Sequence, residues 1–172
     1  MTRALVLSDT HVPQRARALP DAVWTAVDDA DLVIHAGDWN GFELYEQLSR
    51  RAKRLLAVWG NNDGPELRAV LPEIAEDVID GVRVAVVHET GDAAGREPRC
   101  EARFPDADLL VFGHSHIPWD TTTPGGLRLL NPGSPTDRRR QPAGTMLWVE
   151  FEDGAVVATE LVELERGEGR DA

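Results

Sequence analysis

Several short polar motifs in this sequence carry the oxygen and nitrogen donors that a pair of divalent metal ions needs. Each motif follows an apolar run: Asp9-Thr10-His11, Gly37-Asp38, Gly60-Asn61-Asn62-Asp63 and Gly113-His114-Ser115-His116. His88 follows a further apolar run, and four of the five histidines belong to this set. Carboxylate, amide and imidazole donors without a thiolate favour Mn²⁺, Fe or Zn²⁺ over a soft metal ion.

The segments before these motifs alternate between strand and helix patterns in the N-terminal half. Residues 3–8, 31–36 and 54–59 are apolar runs typical of buried strands, whereas residues 20–29 and 42–51 have helical spacing of apolar side chains. This alternation predicts parallel strands joined by right-handed crossovers. Because parallel strands end at one edge of a sheet, we expect the polar motifs to meet there.

The C-terminal half has the pattern of antiparallel hairpins. Three pairs of strand-like runs are separated by turn sequences: residues 73–79 and 82–87, 119–123 and 126–130, and 143–151 and 155–162. A further buried strand is predicted at 108–112, and part of the polar segment 92–104 is predicted to be helical. We expect one domain over residues 1–164, with two packed sheets flanked by helices, and a frayed tail over residues 165–172.

The spacing within the motifs supports a shared site. Asp9 and His11 are two residues apart, as are His114 and His116, so each pair can point to one side of an extended segment. Taken singly, each motif also fits a turn or a helix cap, and Gly-Asp is common in loops. The metal-site interpretation therefore rests on their order and on their shared position after strands.

Other side chains are expected to have packing roles. His35 lies inside a predicted strand, and we expect it to be buried or to support a ligand rather than to bind metal. Trp59 and Trp148 are predicted to lie in the core, and Trp39 either packs there or lines a pocket rim. The basic run 138–140 is interpreted as a solvated loop, with a contact to substrate phosphate as the alternative.

Composition and charge restrict the possible classes of function. The chain has 172 residues, is 42% hydrophobic and 28% charged, and has a formal net charge of −12. So acidic a surface repels phosphate backbones, and bulk nucleic-acid binding is not expected. Without a long apolar run or a signal peptide, and with one cysteine, the sequence predicts a cytoplasmic protein that does not contact membranes.

Taken in order, the motifs Asp-x-His, Gly-Asp, Gly-Asn-x-Asp, His and Gly-His-x-His resemble those of the calcineurin-like metallophosphoesterase family. The short spacing, and the sequence of residues 131–134 (Asn-Pro-Gly-Ser), resemble its small prokaryotic phosphodiesterase branch. The resemblance extends over residues 3–160. It implies an α/β fold, a four-layer α/β/β/α sandwich of two mixed sheets flanked by helices, which agrees with the two sheets predicted above.

The resemblance also implies a ligand set for two metal ions. It assigns the first ion to Asp9, His11, Asp38 and His116, and the second to Asp38, Asn61, His88 and His114. The implied cofactors are two divalent ions, with Mn²⁺ expected and Fe, Zn²⁺ or Ni²⁺ as alternatives. Asn61, Asp38 and His114 are expected to take part in catalysis, and Asp63, Asn62 and His35 to support the ligands.

Two positions depart from the resembled pattern. Many family members have histidine where this chain has Asn62, and the branch commonly has glycine where this chain has Glu89. A neutral amide cannot deliver a proton near neutral pH, so we expect esters with good leaving groups to be hydrolysed better. Glu89 either crowds the second metal ion or acts as an extra acidic neighbour.

The function implied by the resemblance is hydrolysis of a small phosphate ester, most directly a phosphodiester, by a hydroxide that bridges two metal ions. A phosphomonoesterase is the nearest alternative. An interaction scaffold, which is how the small retromer subunit of the same branch works, and a metal-binding regulator are alternatives from other classes. A homo-oligomer formed through the terminal hairpin is also left open.

Overall fold

In the computed structural model, which describes residues 1–165, the chain forms ten strands and four helices. In chain order these are β1 (Thr2–Leu7), α1 (Asp21–Asp29), β2 (Leu32–His35), α2 (Phe42–Arg51), β3 (Leu55–Ala57), α3 (Pro65–Val70), β4 (Ile74–Ile79), β5 (Val82–Val87), α4 (Arg96–Arg103), β6 (Leu109–Val111), β7 (Trp119–Thr122), β8 (Arg128–Asn131), β9 (Gly144–Glu152) and β10 (Ala155–Leu164).

The strands form two mixed sheets of five strands each. The first has the order β10-β9-β1-β2-β3. Strands β1, β2 and β3 are parallel, whereas β9 pairs antiparallel with β1 on one side and with β10 on the other. The second has the order β4-β5-β6-β8-β7, with β5, β6 and β8 parallel. The three predicted hairpins are confirmed as β4–β5, β7–β8 and β9–β10.

The continuous apolar run of β1 is explained by burial on both faces of its sheet. Successive side chains of a strand point to opposite faces. Ala4 and Val6 pack in the layer between the two sheets, whereas Leu5 and Leu7 pack against the helices on the outer face. All four side chains are fully buried.

Four layers result from this packing. Ile34 of the first sheet and Val84 and Val111 of the second share one apolar cluster, so the two sheets pack face to face. Val27 and Leu48 place α1 and α2 on the outer face of the first sheet. Helix α4 covers the outer face of the second sheet through a separate cluster. The predicted α/β/β/α sandwich is confirmed.

Helix α3 has no counterpart among the predicted elements. It is only six residues long and begins at Pro65 after Gly64, without a side-chain cap. Of the predicted tail, residues 166–172 lie outside the described part of the chain. None of the helices within residues 1–165 has the length and apolar character needed to cross a bilayer.

Candidate metal centre

The predicted ligands meet at the edge where strands of both sheets end. Among residues 1–165, two groups of three side chains each have the geometry to hold a metal ion, with donor atoms within 4.8 Å of one another. The first group is Asp9, His11 and His116, and the second is Asp38, His88 and His114. The structure therefore brings six of the seven predicted ligands into these groups, and Asn61 lies beside the second.

The Asp9 carboxylate is the most deeply buried donor of the centre. Its Oδ1 atom has no hydrogen-bond partner among the described residues. Instead, Oδ1 lies 3.4 Å from His116 Nε2, 3.8 Å from His11 Nε2 and 3.9 Å from His88 Nε2. A buried anionic oxygen without a hydrogen bond, facing three imidazole nitrogens, is satisfied by a bound cation. These residues therefore fit a divalent metal ion.

Asp38 lies between the two groups. Its Oδ2 atom is 3.5 Å from His11 Nε2 of the first group and 3.3 Å from His88 Nε2 of the second. One carboxylate oxygen thus faces histidines from both groups, which is the arrangement that a shared ligand requires. The same oxygen accepts a hydrogen bond from Asn62 Nδ2 at 2.8 Å, and Oδ1 accepts one from the Asn62 N–H at 2.9 Å.

Asn61 completes the surroundings of the second group. Its Oδ1 atom lies 3.0 Å from His88 Nε2 and 3.1 Å from His114 Nδ1. On its other side, the His114 ring presents Nε2 to a Glu89 carboxylate oxygen at 3.2 Å. The two ring nitrogens of His114 therefore face different partners, one the ligand group and the other a carboxylate outside it.

Main-chain carbonyls orient two other histidines. His88 Nδ1 lies 2.7 Å from the Ala36 carbonyl oxygen, and His116 Nδ1 lies 2.5 Å from the Asp137 carbonyl oxygen. A carbonyl only accepts hydrogen bonds, so each Nδ1 carries the proton and donates it. Each Nε2 therefore faces a carboxylate of the centre and is the nitrogen that would bind a metal ion.

The backbone of the centre is strained. Five of the seven predicted ligands have a positive φ between 44° and 72°, a backbone region that residues other than glycine rarely adopt. These five are Asp9, His11, Asp38, His114 and His116. Such strain costs about 1–3 kcal/mol for each residue and concentrates at functional sites, where the rest of the fold offsets it.

Gly60 allows the loop after β3 to approach Asp38. A Cβ atom at this position would lie 2.2 Å from Asp38 Oδ1 and 2.4 Å from the Asp38 nitrogen. Any larger residue would displace the carboxylate that faces both groups. Position 60 therefore requires glycine, the residue without a Cβ atom.

Asp63 holds the loops that carry the ligands. Its Oδ2 atom accepts hydrogen bonds from the N–H groups of Asp38 and Gly60, at 3.0 and 2.7 Å, and its Oδ1 atom accepts one from Asn40 at 2.8 Å. Burial raises the pKa of this carboxyl despite these hydrogen bonds. Asp63 contacts the main chain of a ligand rather than a ligand group, which is the arrangement expected of a supporting residue.

The charges of the centre depend on one another. Burial opposes ionisation of Asp9, but its contacts with His11 and His116 and the nearby charge of His88 hold its pKa well below the usual range. Burial likewise opposes a charge on His88, yet the carboxylates of Asp38 and Asp9 raise its pKa to about 9. A proton on His88 thus offsets the buried carboxylates, and a metal ion must displace it.

Three residues that position the centre were absent from the predicted set. Ser8 Oγ donates to Asp9 Oδ2 at 2.7 Å, and Ser134 Oγ donates to the Asp9 carbonyl at 2.7 Å. The third is Asp137, through its carbonyl. Serine and backbone groups carry no distinctive signal in a single sequence. Only Ser134, in a turn that follows a strand, had a recognisable context.

His35 is buried, as expected, and both of its ring nitrogens have partners. Nδ1 accepts a hydrogen bond from the Gly37 N–H at 3.1 Å, and Nε2 lies 3.1 Å from Thr10 Oγ1. The ring stacks on fully buried Trp39 at a centroid distance of 3.6 Å, so the packing role of Trp39 is confirmed. Complete burial lowers the pKa of His35 to about 3.

This buried histidine predicts a specific dependence of stability on pH. The unfolded state takes up a proton on His35 below pH 6.5, whereas the folded state resists protonation until about pH 3. The contribution of His35 to the free energy of unfolding is therefore fully present above pH 6.5 and is lost as the pH falls toward about 3. Between pH 7 and pH 5, metal-free wild type should lose about 2 kcal/mol more stability in urea unfolding than His35→Gln. Equal losses would contradict the burial of a neutral ring.

Comparison with known proteins identifies the family. Residues 2–154 match the model of the calcineurin-like phosphoesterase superfamily domain. The chain is 33% identical over 161 residues to a probable metallophosphoesterase of Methanothermobacter thermautotrophicus. The alignment covers 90% of this chain and 91% of that protein.

Two solved structures are similar over nearly the whole chain. One is the solution structure of a Thermotoga maritima protein, with 32% identity, a TM-score of 0.76, and coverage of 95% of this chain and 100% of that chain. The other is Vps29 of Entamoeba histolytica complexed with Zn²⁺, with 25% identity, a TM-score of 0.73, and coverage of 94% and 98%. The resemblance carried by the sequence motifs is thereby confirmed, and the chain belongs to the calcineurin-like phosphoesterase superfamily.

Proposed function

We propose that this protein is a metal-dependent phosphodiesterase that uses two divalent ions, one at each ligand group. The observation that carries the proposal is the position of Asp38 Oδ2, within 3.5 Å of a histidine from each group. Asp9, His11 and His116 would hold the first ion with Asp38, and Asn61, His88 and His114 would hold the second with Asp38. The family supports a phosphoesterase, and the preference for diesters is our proposal.

The bound ions would supply a nucleophile from water at neutral pH and would neutralise charge on the phosphoryl oxygens. The chain's own groups orient the ester. Asn61 Nδ2 makes no hydrogen bond among the described residues, so it is free to donate to a phosphoryl oxygen. Two dications against the carboxylates of Asp9 and Asp38 leave a positive centre, which attracts a phosphodiester anion to an otherwise acidic protein.

Mn²⁺ is the metal that we propose, with Fe, Zn²⁺ and Ni²⁺ as alternatives, because carboxylate, amide and imidazole donors without a thiolate favour such ions over soft ones. The zinc complex of the similar Vps29 structure supports a divalent ion on this fold. Cys100 is buried and unpaired among the described residues, which fits a reducing compartment, and we propose a cytoplasmic location.

Metal reconstitution tests the proposed activity. After removal of metal, Mn²⁺ should restore hydrolysis of an aryl phosphodiester more strongly than hydrolysis of the matching monoester. In Asp38→Asn and His114→Ala, turnover should fall by about two orders of magnitude or more, because the first change removes the negative charge of the shared ligand and the second removes a ligand. Asp21→Asn, an exposed carboxylate on α1, is the control and should keep wild-type turnover. Two bound ions without turnover of either ester would contradict an enzymatic role.

Glu89 generates a prediction about the second ion. Its carboxylate lies 3.2 Å from His114 Nε2, and Nδ1 of the same ring lies beside Asn61. We propose that Nε2 keeps its proton toward Glu89 and that Nδ1 is the metal donor. Glu89→Ala should therefore weaken binding of the second Mn²⁺ about tenfold in a calorimetric titration, without changing the first. Glu73→Ala removes a nearby exposed carboxylate that forms no such pair and should leave both affinities unchanged. Tighter binding in Glu89→Ala would show instead that Glu89 crowds the ion.

Asn62 predicts the leaving-group dependence. Its side chain donates to Asp38 and cannot protonate a departing alkoxide. Asn62→His should increase kcat for alkyl esters relative to 4-nitrophenyl esters about tenfold or more, because a histidine can act as general acid. Parallel changes for both ester types in steady-state kinetics would exclude this explanation.

A further inference from the structure

A cavity of about 370 Å³ opens beside the second ligand group. Asn61, His88 and Glu89 line its inner side, and Trp59, Arg99 and Arg103 are among the residues that line the rest. The volume falls in the range of small-molecule sites. A phosphate ester bound at the centre would therefore have room here for one of its ester groups.

Arg99 and Arg103, which line this cavity, share one face of α4 with Arg96, and we call the three the arginine stripe. Positions i, i+3 and i+7 of a helix share one face. Arg103 Nη1 donates to the Glu89 carbonyl at 3.2 Å, and Arg99 Nε donates to the Thr90 carbonyl at 2.8 Å. Arg96 Nε donates to Thr90 Oγ1 at 3.0 Å. The stripe thus holds the loop that begins at His88.

The arginine stripe has no carboxylate partner within 4.0 Å among residues 1–165. In the same part of the chain, eight other basic side chains form ion pairs: Arg3, Arg15, Arg50, Arg51, Lys53, Arg54, Arg83 and Arg128. Five further arginines in this part of the chain also lack an ion pair, among them the run 138–140, but none of the five lines the cavity. Arg96 is only 5% exposed, and Arg103 keeps Nε and Nη2 without an acceptor among the described residues.

Part of the cavity lining is apolar. Val87 is buried, and the partly exposed Trp59 ring is held by Arg68, whose guanidinium lies over it at 4.0 Å. Two carboxylates also line the cavity. That of Glu89 is paired with His114, and that of Glu73 is exposed. Trp59, Arg99 and Arg103 line the same cavity, so one bound group has an aromatic face and guanidinium groups around it.

We propose that this cavity is a specificity subsite for an aromatic ester group that carries a second anionic group. The preferred substrates would be phosphate esters with a carboxylate or a further phosphate beyond the scissile phosphorus. Arg103 would be the principal contact, because Arg99 already donates to three carbonyls of the loop, those of Thr90, Asp92 and Ala94. This subsite deepens the proposed function and rests on it.

A pair of non-hydrolysable ligands tests the subsite by binding alone. Phenylphosphonate and 4-carboxyphenylphosphonate differ only in the added carboxylate. Calorimetry with manganese-loaded wild type should show about fivefold tighter binding of the carboxylated ligand, as for a partly solvated ion pair. Arg103→Gln should bring the ratio of the two affinities close to one, whereas the charge-retaining Arg103→Lys should keep part of it. Arg50→Gln, which removes one charge from an exposed position on α2, should keep the wild-type ratio.

Turnover of 4-nitrophenyl phenyl phosphate, measured on the same samples, separates this proposal from the proposed function. Turnover without a binding preference would overturn the subsite and leave the phosphodiesterase intact. A preference that depends on Arg103, without turnover, would support the subsite and overturn the enzymatic function. A preference that persists in Arg103→Gln would overturn the assignment of the stripe.

Discussion

The centre depends on one buried carboxylate, that of Asp9, whose two oxygens have different surroundings. Oδ2 accepts hydrogen bonds from Ser8 Oγ and from the His114 N–H, at 2.7 and 3.0 Å. Because Ser8 follows β1 and His114 follows β6, these contacts join the ligand loops of the two sheets. Oδ1 has no hydrogen bond among the described residues and faces histidines. A buried negative charge is costly without a partner, so this half of the carboxylate requires positive charge.

The packing of the two sheets brings the histidines and carboxylates of the centre together. Parallel strands in both sheets end at the same edge, and the apolar layer between the sheets holds the two sets of loops together. Positive φ angles at five ligands and the close approach at Gly60 are tolerated because the surrounding core is fully packed. The stability of the sandwich thus offsets the strain of the centre.

Much of this arrangement could be predicted from sequence, because the signals were local. Strands buried on both faces appear as continuous apolar runs, and hairpins are marked by turn residues such as Asp80-Gly81. The ligand types and their places after strands were also visible. Helix α3 was not, because six residues carry too little periodicity.

The remaining features depend on tertiary contacts between distant segments. The roles of Ser8, Ser134 and Asp137 arise only when the sheets come together. The prediction that Trp148 is buried is confirmed, whereas Trp59 is partly exposed and lines the cavity beside the centre. Trp59 follows an apolar strand pattern like that of a core residue. The local sequence does not show that the side chain is partly exposed at the edge of a cavity.

In the proposed subsite, the arginine stripe and the acidic surface would together favour selection of substrates by local rather than overall charge. Net repulsion acts against large polyanions over long distances, whereas a positive centre and unpaired guanidinium groups act over a few ångströms. The loop that carries His88 connects the arginine stripe with the metal centre, because the stripe donates hydrogen bonds to carbonyls of the loop and His88 faces the ligand groups.

The central claim is that Asp38 is shared by two metal ions. Anomalous diffraction from crystals of the manganese-loaded protein tests it most directly. Two anomalous peaks are predicted, one beside Asp9, His11 and His116 and the other beside Asn61, His88 and His114, with Asp38 coordinating both. A single peak, or two peaks of which one does not contact Asp38, would contradict the claim.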